Sequence, residues 1–416
     1  MSSQKNNPSL LFFYLLILFL PIQFGKHFWP SSSFVYGIRV DYLSPTLYLT
    51  DILILLILGT YFFKKINLKK LITKKVILVI AIFILLTTSA LFAKNQLSAF
   101  YGIIKFLEFL LLAIFISRKL KNLAPIYLLM SFSVIYESVI ATAQFINQGS
   151  LGGLFYFLGE RTFNGQTPGI ANASLGGELV LRAYGTFPHP NVLAGFLVVF
   201  MAVILTSMTK EKGARLFYYW TALVVGTLAL FLTLSRTSII VWVFAMIFIL
   251  LLKKGFGKKT NLALILTIIL ILSFFLLSPL LLRFTHITFE DPSIYDRRIL
   301  FDAGVAMFFK NPVLGVGFNN FLVNLPVFIK NISLHFLQPV HNIYLLILVE
   351  TGIFGFLAFL SLLFLTFRKI GKKSVFFPAF LIIIFIGLFD HYFLTLQQGQ
   401  ILFAITFGFC WAKSFK

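Results

Sequence analysis

The sequence has few acidic residues and a single cysteine. Aspartate and glutamate total 13, against 35 lysines and arginines, and charged residues make up only 12% of the 416-residue chain. Soluble domains carry about a quarter charged residues, so the composition excludes a soluble globular enzyme. Cys410 lies in an apolar run, which excludes intramolecular disulfides and metal sites built from cysteine.

The sequence also lacks the signatures of metal and nucleotide chemistry. It contains no HExxH motif, no cluster of carboxylates and no GxSxG elbow, and its histidines are scattered along the chain. The turn around Gly315 and Gly317 lacks the third glycine of a dinucleotide-binding loop. We therefore predict that the protein uses no metal and no other cofactor.

Long apolar segments dominate what is present. Hydrophobic residues make up 59% of the chain, and an apolar run of about 20 residues is long enough to cross a bilayer as a helix. Such runs fall near residues 9–24, 45–63, 76–93, 99–117, 123–147, 190–209, 216–235, 237–252, 260–282, 340–367, 375–394 and 399–413. The sequence predicts an all-α polytopic membrane protein with about twelve transmembrane helices, forming one domain over residues 1–416.

The distribution of positive charge predicts the orientation of these helices. The net charge of +22 comes mostly from lysines in one set of short loops, which the positive-inside rule assigns to the cytoplasm together with both termini. These lysines would contact anionic headgroups, and no nucleic-acid partner is needed to explain them. The other face carries two long segments, an outer loop at 148–189 and a large loop with short helices at 283–339, before the tenth helix. All six histidines fall on this face, so we expect the chemistry there.

Two motifs precede or follow helices on the predicted outer face. In Arg182-Ala-Tyr-Gly-Thr-Phe-Pro-His189-Pro190-Asn191, the prolines favour an extended approach and Asn191 lies at a helix N-cap. This segment either serves only to start the following helix or, through Arg182, forms part of an anion-binding site. Arg236 interrupts two apolar runs, where an arginine needs a carboxylate, a phosphate or the headgroup region as partner.

Further polar residues cluster near the last spans. Arg297 and Arg298 begin a helical pattern that ends at Asn311-Pro312, and His341-Asn342 begins an apolar helix. Histidine is the usual proton acceptor at neutral pH, which makes His341 the candidate base.

For two other groups of polar residues near these spans, a structural role is one interpretation. Glu350 lies about 180° round the helix from His341 and roughly 13 Å along it, so we expect a structural role for this carboxylate. Asp390-His391-Tyr392 reads either as support for the site or as an interfacial polar belt.

The ordered set of motifs resembles the O-antigen ligase/polymerase superfamily of bacterial membrane glycosyltransferases. The resemblance covers roughly residues 182–400. It rests on Arg182-x-x-Gly-Thr-Phe-x-His189-Pro-Asn191, Ser235-Arg236, Arg297/Arg298 with Asn311-Pro-x-x-Gly-x-Gly-x-Asn-Asn, His341-Asn342-x-x-Leu with Glu350-x-Gly-x-x-Gly, and Asp390-His391-Tyr392.

The resemblance implies a GT-C-like fold and an O-antigen ligase-like reaction in lipopolysaccharide or polysaccharide biosynthesis. A glycan would move from a lipid-diphosphate carrier of the undecaprenyl-diphosphate type to an acceptor hydroxyl on a glycolipid or glycan. The reaction would be metal-independent and inverting, and would occur on the outer face of the bacterial cytoplasmic membrane. The implied partners are the donor, the acceptor and membrane lipids.

The resemblance also assigns roles to residues. The family histidine that matches His341 deprotonates or orients the acceptor hydroxyl. Family arginines that grip the diphosphate, where positive charge assists its departure, match Arg182, Arg236, and Arg297 or Arg298. Supporting roles fall to His189, Asn191, Asn342, Asp390 and His391.

Two other functions compete with a ligase. A repeat-unit polymerase would use the same chemistry with a different acceptor, and the sequence does not separate the two. A polysaccharide flippase or transporter would need ionisable residues near the bilayer midplane or inverted repeats. Because the arginines and histidines crowd one face, the sequence favours an enzyme.

Overall fold

Helices account for most of the chain in the computed structural model, as predicted. The structure describes residues 7–62, 74–120, 122–175, 177–208, 211–252, 265, 292–329, 337–372 and 374–412. The helices, in chain order, are α1 (Pro8–Phe19), α2 (Leu49–Phe62), α3 (Lys74–Leu91), α4 (Gln96–Lys119), α5 (Ala124–Asn147), α6 (Pro190–Ser207), α7 (Ala214–Leu232), α8 (Arg236–Leu252), α9 (Pro292–Lys310), α10 (Phe321–Phe328), α11 (Ile343–Lys369), α12 (Phe377–Ile386), α13 (Tyr392–Thr395) and α14 (Gln397–Trp411).

Three small antiparallel hairpins lie between helices. Strand β1 (Gly25–His27) pairs with β4 (Thr46–Tyr48), and β2 (Phe34–Val35) pairs with β3 (Ile38–Arg39) inside the same connection. Strand β5 (Asn172–Leu175) pairs with β6 (Glu178–Leu181) within the predicted loop at 148–189. The first two hairpins join α1 to α2, and the third joins α5 to α6.

The predicted apolar runs correspond closely to helices. A helix occupies each run apart from that at 260–282, which lies outside the described residues except for residue 265. Within the described residues, five helices are long and apolar enough to cross a membrane, namely α4, α5, α6, α7 and α11, and the protein is accordingly a polytopic membrane protein. The predicted number of twelve spans is not confirmed. The run at 375–394 divides, because α12 ends at Ile386 and Asp390 lies in a turn before α13.

Helix α6 is the central element of the bundle. Its sequence is apolar all the way round, and 94% of its span is buried, as expected for a helix without a polar face. It packs against α5, α7, α8 and α12. The N-terminus of α6 begins with Pro190, and His189 caps it by accepting a hydrogen bond from the Asn191 amide at 3.1 Å. A rigid buried helix therefore fixes the position of this polar end.

The loop between α5 and α6 is anchored on α5. The buried Glu137 carboxylate accepts hydrogen bonds from the amide and hydroxyl of Thr186, at 3.0 and 2.7 Å. Gln144, two turns further along the same face, accepts from the Gly185 amide at 2.8 Å and donates to the Gly185 carbonyl at 2.9 Å. These contacts hold the backbone that carries Arg182 and His189.

Helix α11 is interrupted at Gly352, where the turn after α9 packs against it. Gly352 has φ +65 and ψ −170, a conformation essentially restricted to glycine. The Ile353 amide donates to the Pro312 carbonyl at 2.9 Å, and the Val316 amide donates to the Val349 carbonyl at 2.9 Å. The kink thus lets the turn at 311–320 hydrogen-bond directly to the backbone of α11.

Glu350 has the structural role expected for it. Its carboxylate accepts a hydrogen bond from the Phe321 amide at 3.2 Å, at the N-terminus of α10. A carboxylate in this position satisfies a helix amide that has no partner within the helix and stabilises the positive end of the helix dipole. The residue therefore supports the packing of α10 on α11, away from His341.

Replacing Gly352 with alanine should destabilise the protein strongly. The added Cβ would lie 2.1 Å from the Val313 carbonyl oxygen, and its backbone conformation is unfavourable for alanine. We expect the free energy of unfolding to fall by at least about 2 kcal/mol, measured by thermal or denaturant unfolding in detergent. Gly371→Ala is the matched control, because a Cβ there meets no atom within 4 Å. Equal stability of the two variants would contradict the proposed role of the kink.

Candidate active site

Polar residues from four separate segments meet at one end of the bundle. They come from the loop before α6, the first turns of α9, the start of α11, and the turn between α12 and α13. We call this end, with residues 182–191, 297, 341–342 and 389–391, the His341 end.

Asn191 connects two of these segments. Its side-chain oxygen accepts a hydrogen bond from Arg182 Nη2 at 2.6 Å, and its side-chain nitrogen donates to Asp390 Oδ2 at 3.0 Å. Arg182 Nε also donates to the Thr233 carbonyl at 2.7 Å. Arg182 is only 9% exposed. Its guanidinium therefore contacts protein groups and connects the loop before α6 to Thr233 and Asn191.

Asp390 is the carboxylate that faces His341. Its Oδ1 atom lies 3.4 Å from His341 Nδ1, a separation that gives an ion pair when the imidazole is protonated, and also accepts the His391 amide at 2.9 Å. His341 Nδ1 is buried and makes no hydrogen bond within the described residues, so Asp390 supplies its polar surroundings. A histidine that faces a carboxylate in this way has the arrangement required of a general base with an orienting carboxylate.

His391 and Asn342 complete the surroundings of His341. The imidazole of His391 lies 5.0 Å from that of His341, measured between ring centroids, and its Nδ1 pairs with the Thr395 hydroxyl at 2.6 Å. The Asn342 side-chain oxygen caps α11 by accepting from the amides of Tyr344 and Leu345, both at 2.9 Å. Asn342 therefore fixes the start of the helix next to His341.

Burial and charge set the protonation of the groups around His341. Burial lowers the pKa of both His189 and His391 to about 3, and neighbouring positive charge contributes in the same direction. Burial alone would raise the pKa of Asp390, but the interaction with His341 and the charge of Arg297 hold it well below its usual range. At neutral pH the site thus combines an ionised Asp390 with neutral His189 and His391.

The structure distinguishes the two candidate arginines of α9. Arg297 Nη1 donates to the Phe389 carbonyl at 2.8 Å, next to Asp390. Arg298 has a side chain 73% exposed and lies 3.9 Å from Asp302 on the next helical turn. Arg297 is therefore the one that belongs to the His341 end. Arg236 begins α8, three residues after Thr233, whose carbonyl binds Arg182.

The site opens into a large cavity of about 1910 Å³. His189, Asn191, His341, Asp390 and His391 line one end of it. The lining then becomes mainly apolar along α4, α11 and α14, although Lys105 and Gln397 also contribute to it. It reaches the opposite end of these helices, with contributions from Leu107, Leu110, Ile114, Leu362, Leu365, Phe403 and Trp411. The volume exceeds the roughly 300–1,000 Å³ of ordinary small-molecule pockets, and its length suits an extended amphipathic ligand.

His341, Asp390 and His391 are also a group that could hold a metal ion. Their ligand atoms lie within 4.8 Å of one another, and two imidazoles with one carboxylate would suit a divalent transition metal. Asp390 and His391 already hydrogen-bond to protein partners through their carboxylate and Nδ1 atoms. The absence of a metal requirement stays a prediction, which chelation tests.

Three residues of the cavity were not singled out from the sequence. The Tyr42 ring lies edge-on to His391, with centroids 5.7 Å apart. Arg161 lines the same cavity from the loop after α5, and Thr395 binds His391. Tyr42 and Arg161 lie in connections without helical periodicity, so no pattern marked them. Thr395 was detectable only as the residue four positions after His391, the spacing of one helical turn.

Residues 221–360 match the family model described as O-antigen ligase. Through this segment the chain is similar to the O-antigen ligase/polymerase superfamily. The superfamily match confirms the resemblance inferred from the motifs, and it indicates a glycosyltransferase-like membrane enzyme. The matched range contains His341 and Arg297 but ends before Asp390. A search of curated proteins finds no match.

The depressed pKa of His189 predicts a loss of stability in mild acid. Below its unfolded-state pKa of 6.5, the unfolded chain binds a proton that the folded protein rejects until about pH 3. Stability should therefore fall as the pH drops from 6.5 towards 4, by up to about 1.4 kcal/mol per pH unit from this residue. His189→Asn keeps a capping side chain and should flatten this slope in unfolding measurements.

Gly352→Ala serves as the control for this prediction, because it removes no titratable group. It should lower stability at every pH and leave the slope unchanged. An acid slope in His189→Asn as steep as that of the wild type would contradict the prediction.

Proposed function

We propose that this protein is an O-antigen ligase-like glycosyltransferase that moves a glycan from a lipid-diphosphate carrier to an acceptor hydroxyl. The observation that carries the proposal is the pairing of His341 with Asp390 at the polar end of a long, largely apolar cavity. The match of residues 221–360 to the O-antigen ligase family model supports the same class of reaction. The predicted orientation places this site on the outer face of the bacterial cytoplasmic membrane.

His341 acts as the base in this proposal. Its Nε2 accepts the proton of the acceptor hydroxyl as the hydroxyl oxygen attacks the anomeric carbon of the donor sugar. The bond from that carbon to the phosphate oxygen breaks, and the diphosphate leaves with the electron pair. Asp390, ionised and 3.4 Å from Nδ1, stabilises the imidazolium that forms. A single displacement of this kind inverts the anomeric configuration.

Arginine side chains stabilise the departing diphosphate in place of a metal ion. Arg297 is the direct contact, since it is attached beside Asp390 through the Phe389 carbonyl. Arg182 and Arg236 flank the same end of the bundle and add positive charge there. Donors placed where negative charge develops give the largest electrostatic contribution to catalysis. Arg298, being directed at Asp302, has no part in this step.

The apolar length of the cavity suits the hydrocarbon chain of the carrier. The lining along α4, α11 and α14 runs from the site to the far end of these helices. A polyprenyl chain lying there would place its diphosphate at the polar end, near Asp390, where Arg297 is held on the Phe389 carbonyl. The acceptor decides between a ligase and a repeat-unit polymerase, since both use this chemistry. Turnover with a complete glycolipid acceptor or with a second lipid-linked repeat distinguishes them.

His341→Ala should abolish most of the transfer activity. Loss of general-base catalysis typically lowers kcat by about 10²–10⁴-fold, measured as release of lipid diphosphate from a purified lipid-linked glycan. Asp390→Asn should also lower kcat, because the imidazolium loses its ion-pair partner. Asp302→Asn is the matched control, since that carboxylate is 69% exposed. Undiminished turnover in His341→Ala would rule out its role as base, and loss of turnover on chelation would indicate a metal at this cluster.

The two neighbouring arginines of α9 give a paired test of diphosphate binding. Arg297→Gln should lower kcat/KM by at least about tenfold, because it removes a charged hydrogen-bond donor. Arg298→Gln removes the same charge from the adjacent, exposed position and should leave kcat/KM nearly unchanged. The measurement is steady-state turnover across donor concentrations. The reverse order of effects would assign the diphosphate to Arg298.

A further inference from the structure

We propose that Arg161 forms a second anion-binding subsite, which holds an acidic substituent of the glycan, either a carboxylate or a phosphate. This inference rests on the proposed function, because it concerns the glycan in the same cavity. It adds a specificity-determining residue outside the motifs and outside the family match at 221–360.

The residue before Arg161 is firmly anchored. Glu160 is 3% exposed, and its Oε1 accepts from the Leu151 amide at 2.8 Å and from Gln144 Nε2 at 2.7 Å. Its Oε2 accepts from the Gly152 amide at 2.7 Å. Three neutral donors satisfy this carboxylate, so Glu160 does not require the charge of Arg161.

Gly159 anchors the same loop against the segment that follows α1. It has φ +87, and a Cβ there would lie 2.7 Å from the Gln23 amide nitrogen. Only glycine allows the loop to approach the segment after α1 this closely. The Gln23 side chain also donates to the Gly159 carbonyl at 3.4 Å. The backbone that carries Arg161 is thus fixed by contacts with both α5 and the segment after α1.

The Arg161 side chain is exposed and faces the cavity that contains His341. No carboxylate among the described residues forms an ion pair with it. Its positive charge affects the pKa values of two other residues that line the cavity, His27 and Tyr42. Burial lowers the pKa of His27, and Arg161 lowers it further. Burial raises the pKa of Tyr42, and Arg161 opposes that shift.

Tyr42 links the subsite to the base. The Tyr42 ring contacts His391 at 5.7 Å, and the His391 ring lies 5.0 Å from His341, between centroids. Arg161 acts on the pKa of Tyr42 but is not among the charges that shift the pKa of His391 or Asp390, so it lies further along the cavity wall from His341. A group bound there belongs to a part of the glycan away from the reacting hydroxyl, while the diphosphate lies near Arg297 on the other side of Asp390.

Guanidinium is suited to this role because it presents paired donors to a carboxylate or a phosphate. Exposed arginines are common on loops, and exposure alone would indicate nothing. Arg161 differs in that its backbone is fixed from two sides, its side chain lines the candidate active site, and its neighbour Glu160 is satisfied elsewhere. These three observations together favour a ligand as its partner.

The test compares purified wild-type, Arg161→Gln and Arg161→Lys proteins on three lipid-diphosphate oligosaccharides. The three differ at one sugar, which is glucose, glucuronic acid or phosphorylated glucose. Arg161→Gln should lower kcat/KM by about tenfold for an acidic donor and by less than about twofold for the neutral one. The glucuronic acid and phosphate arms identify which anion the subsite takes. Arg161→Lys should retain part of the preference, since it keeps the charge without the planar fork.

Arg39→Gln is the matched control, because Arg39 stacks over Trp29 at 5.3 Å and does not line the cavity. It should behave as wild type on all three donors, and both glutamine variants should unfold at the wild-type temperature. An equal effect of Arg161→Gln on neutral and acidic donors, or no effect on any, would overturn the subsite.

A binding measurement separates failure of the subsite from failure of the proposed function. Free oligosaccharides carrying glucuronic acid or glucose are titrated into wild-type and Arg161→Gln proteins by calorimetry. Tighter binding of the acidic oligosaccharide to wild type alone, by about tenfold, supports the subsite even if no donor turns over. Absence of wild-type turnover would count against the glycosyltransferase, whereas equal binding to both proteins would count against Arg161.

Discussion

The arrangement of the candidate site depends on the side chain of Asn191. Its oxygen accepts from Arg182 and its nitrogen donates to Asp390, so the amide can adopt only one orientation. Reversing it would place donor against donor and acceptor against acceptor. Because Asn191 lies in the first turn of α6, this single amide connects the turn that carries Asp390 to the most deeply buried of the described membrane-spanning helices.

The charges of the site follow from this connection. Asp390 stays ionised because the Asn191 side chain and the His391 amide donate hydrogen bonds to it, and the neighbouring His341 and the charge of Arg297 lower its pKa. His189 and His391 are buried and stay neutral, since a further buried cation without its own carboxylate would be costly. The result is one carboxylate facing one accessible imidazole, with arginine on either side. That is a consistent environment for accepting one proton and releasing a diphosphate.

The sequence predicted the parts of this arrangement that depend on local pattern. Apolar length predicted the helices, the Pro-His-Pro-Asn segment predicted the start of α6, and helical geometry separated Glu350 from His341. It did not connect His341 with Asp390, because helical periodicity relates residues within one element and these two lie on different ones. It left Arg297 and Arg298 equivalent, since only the packing of α9 decides which faces Phe389. Arg161 was missed because its position depends on contacts of Glu160 and Gly159 with distant segments.

The turn between α12 and α13 sets the spacing between His341 and Arg297. Arg297 binds the Phe389 carbonyl, and His341 faces the carboxylate of the next residue, Asp390. The distance between the two groups is therefore governed by a single peptide unit of this turn. Asn342 reinforces it by donating to the Leu388 carbonyl at 3.1 Å. The turn lies beyond the segment that matches the family model, so the geometry of the matched residues is completed by a part of the chain outside that match.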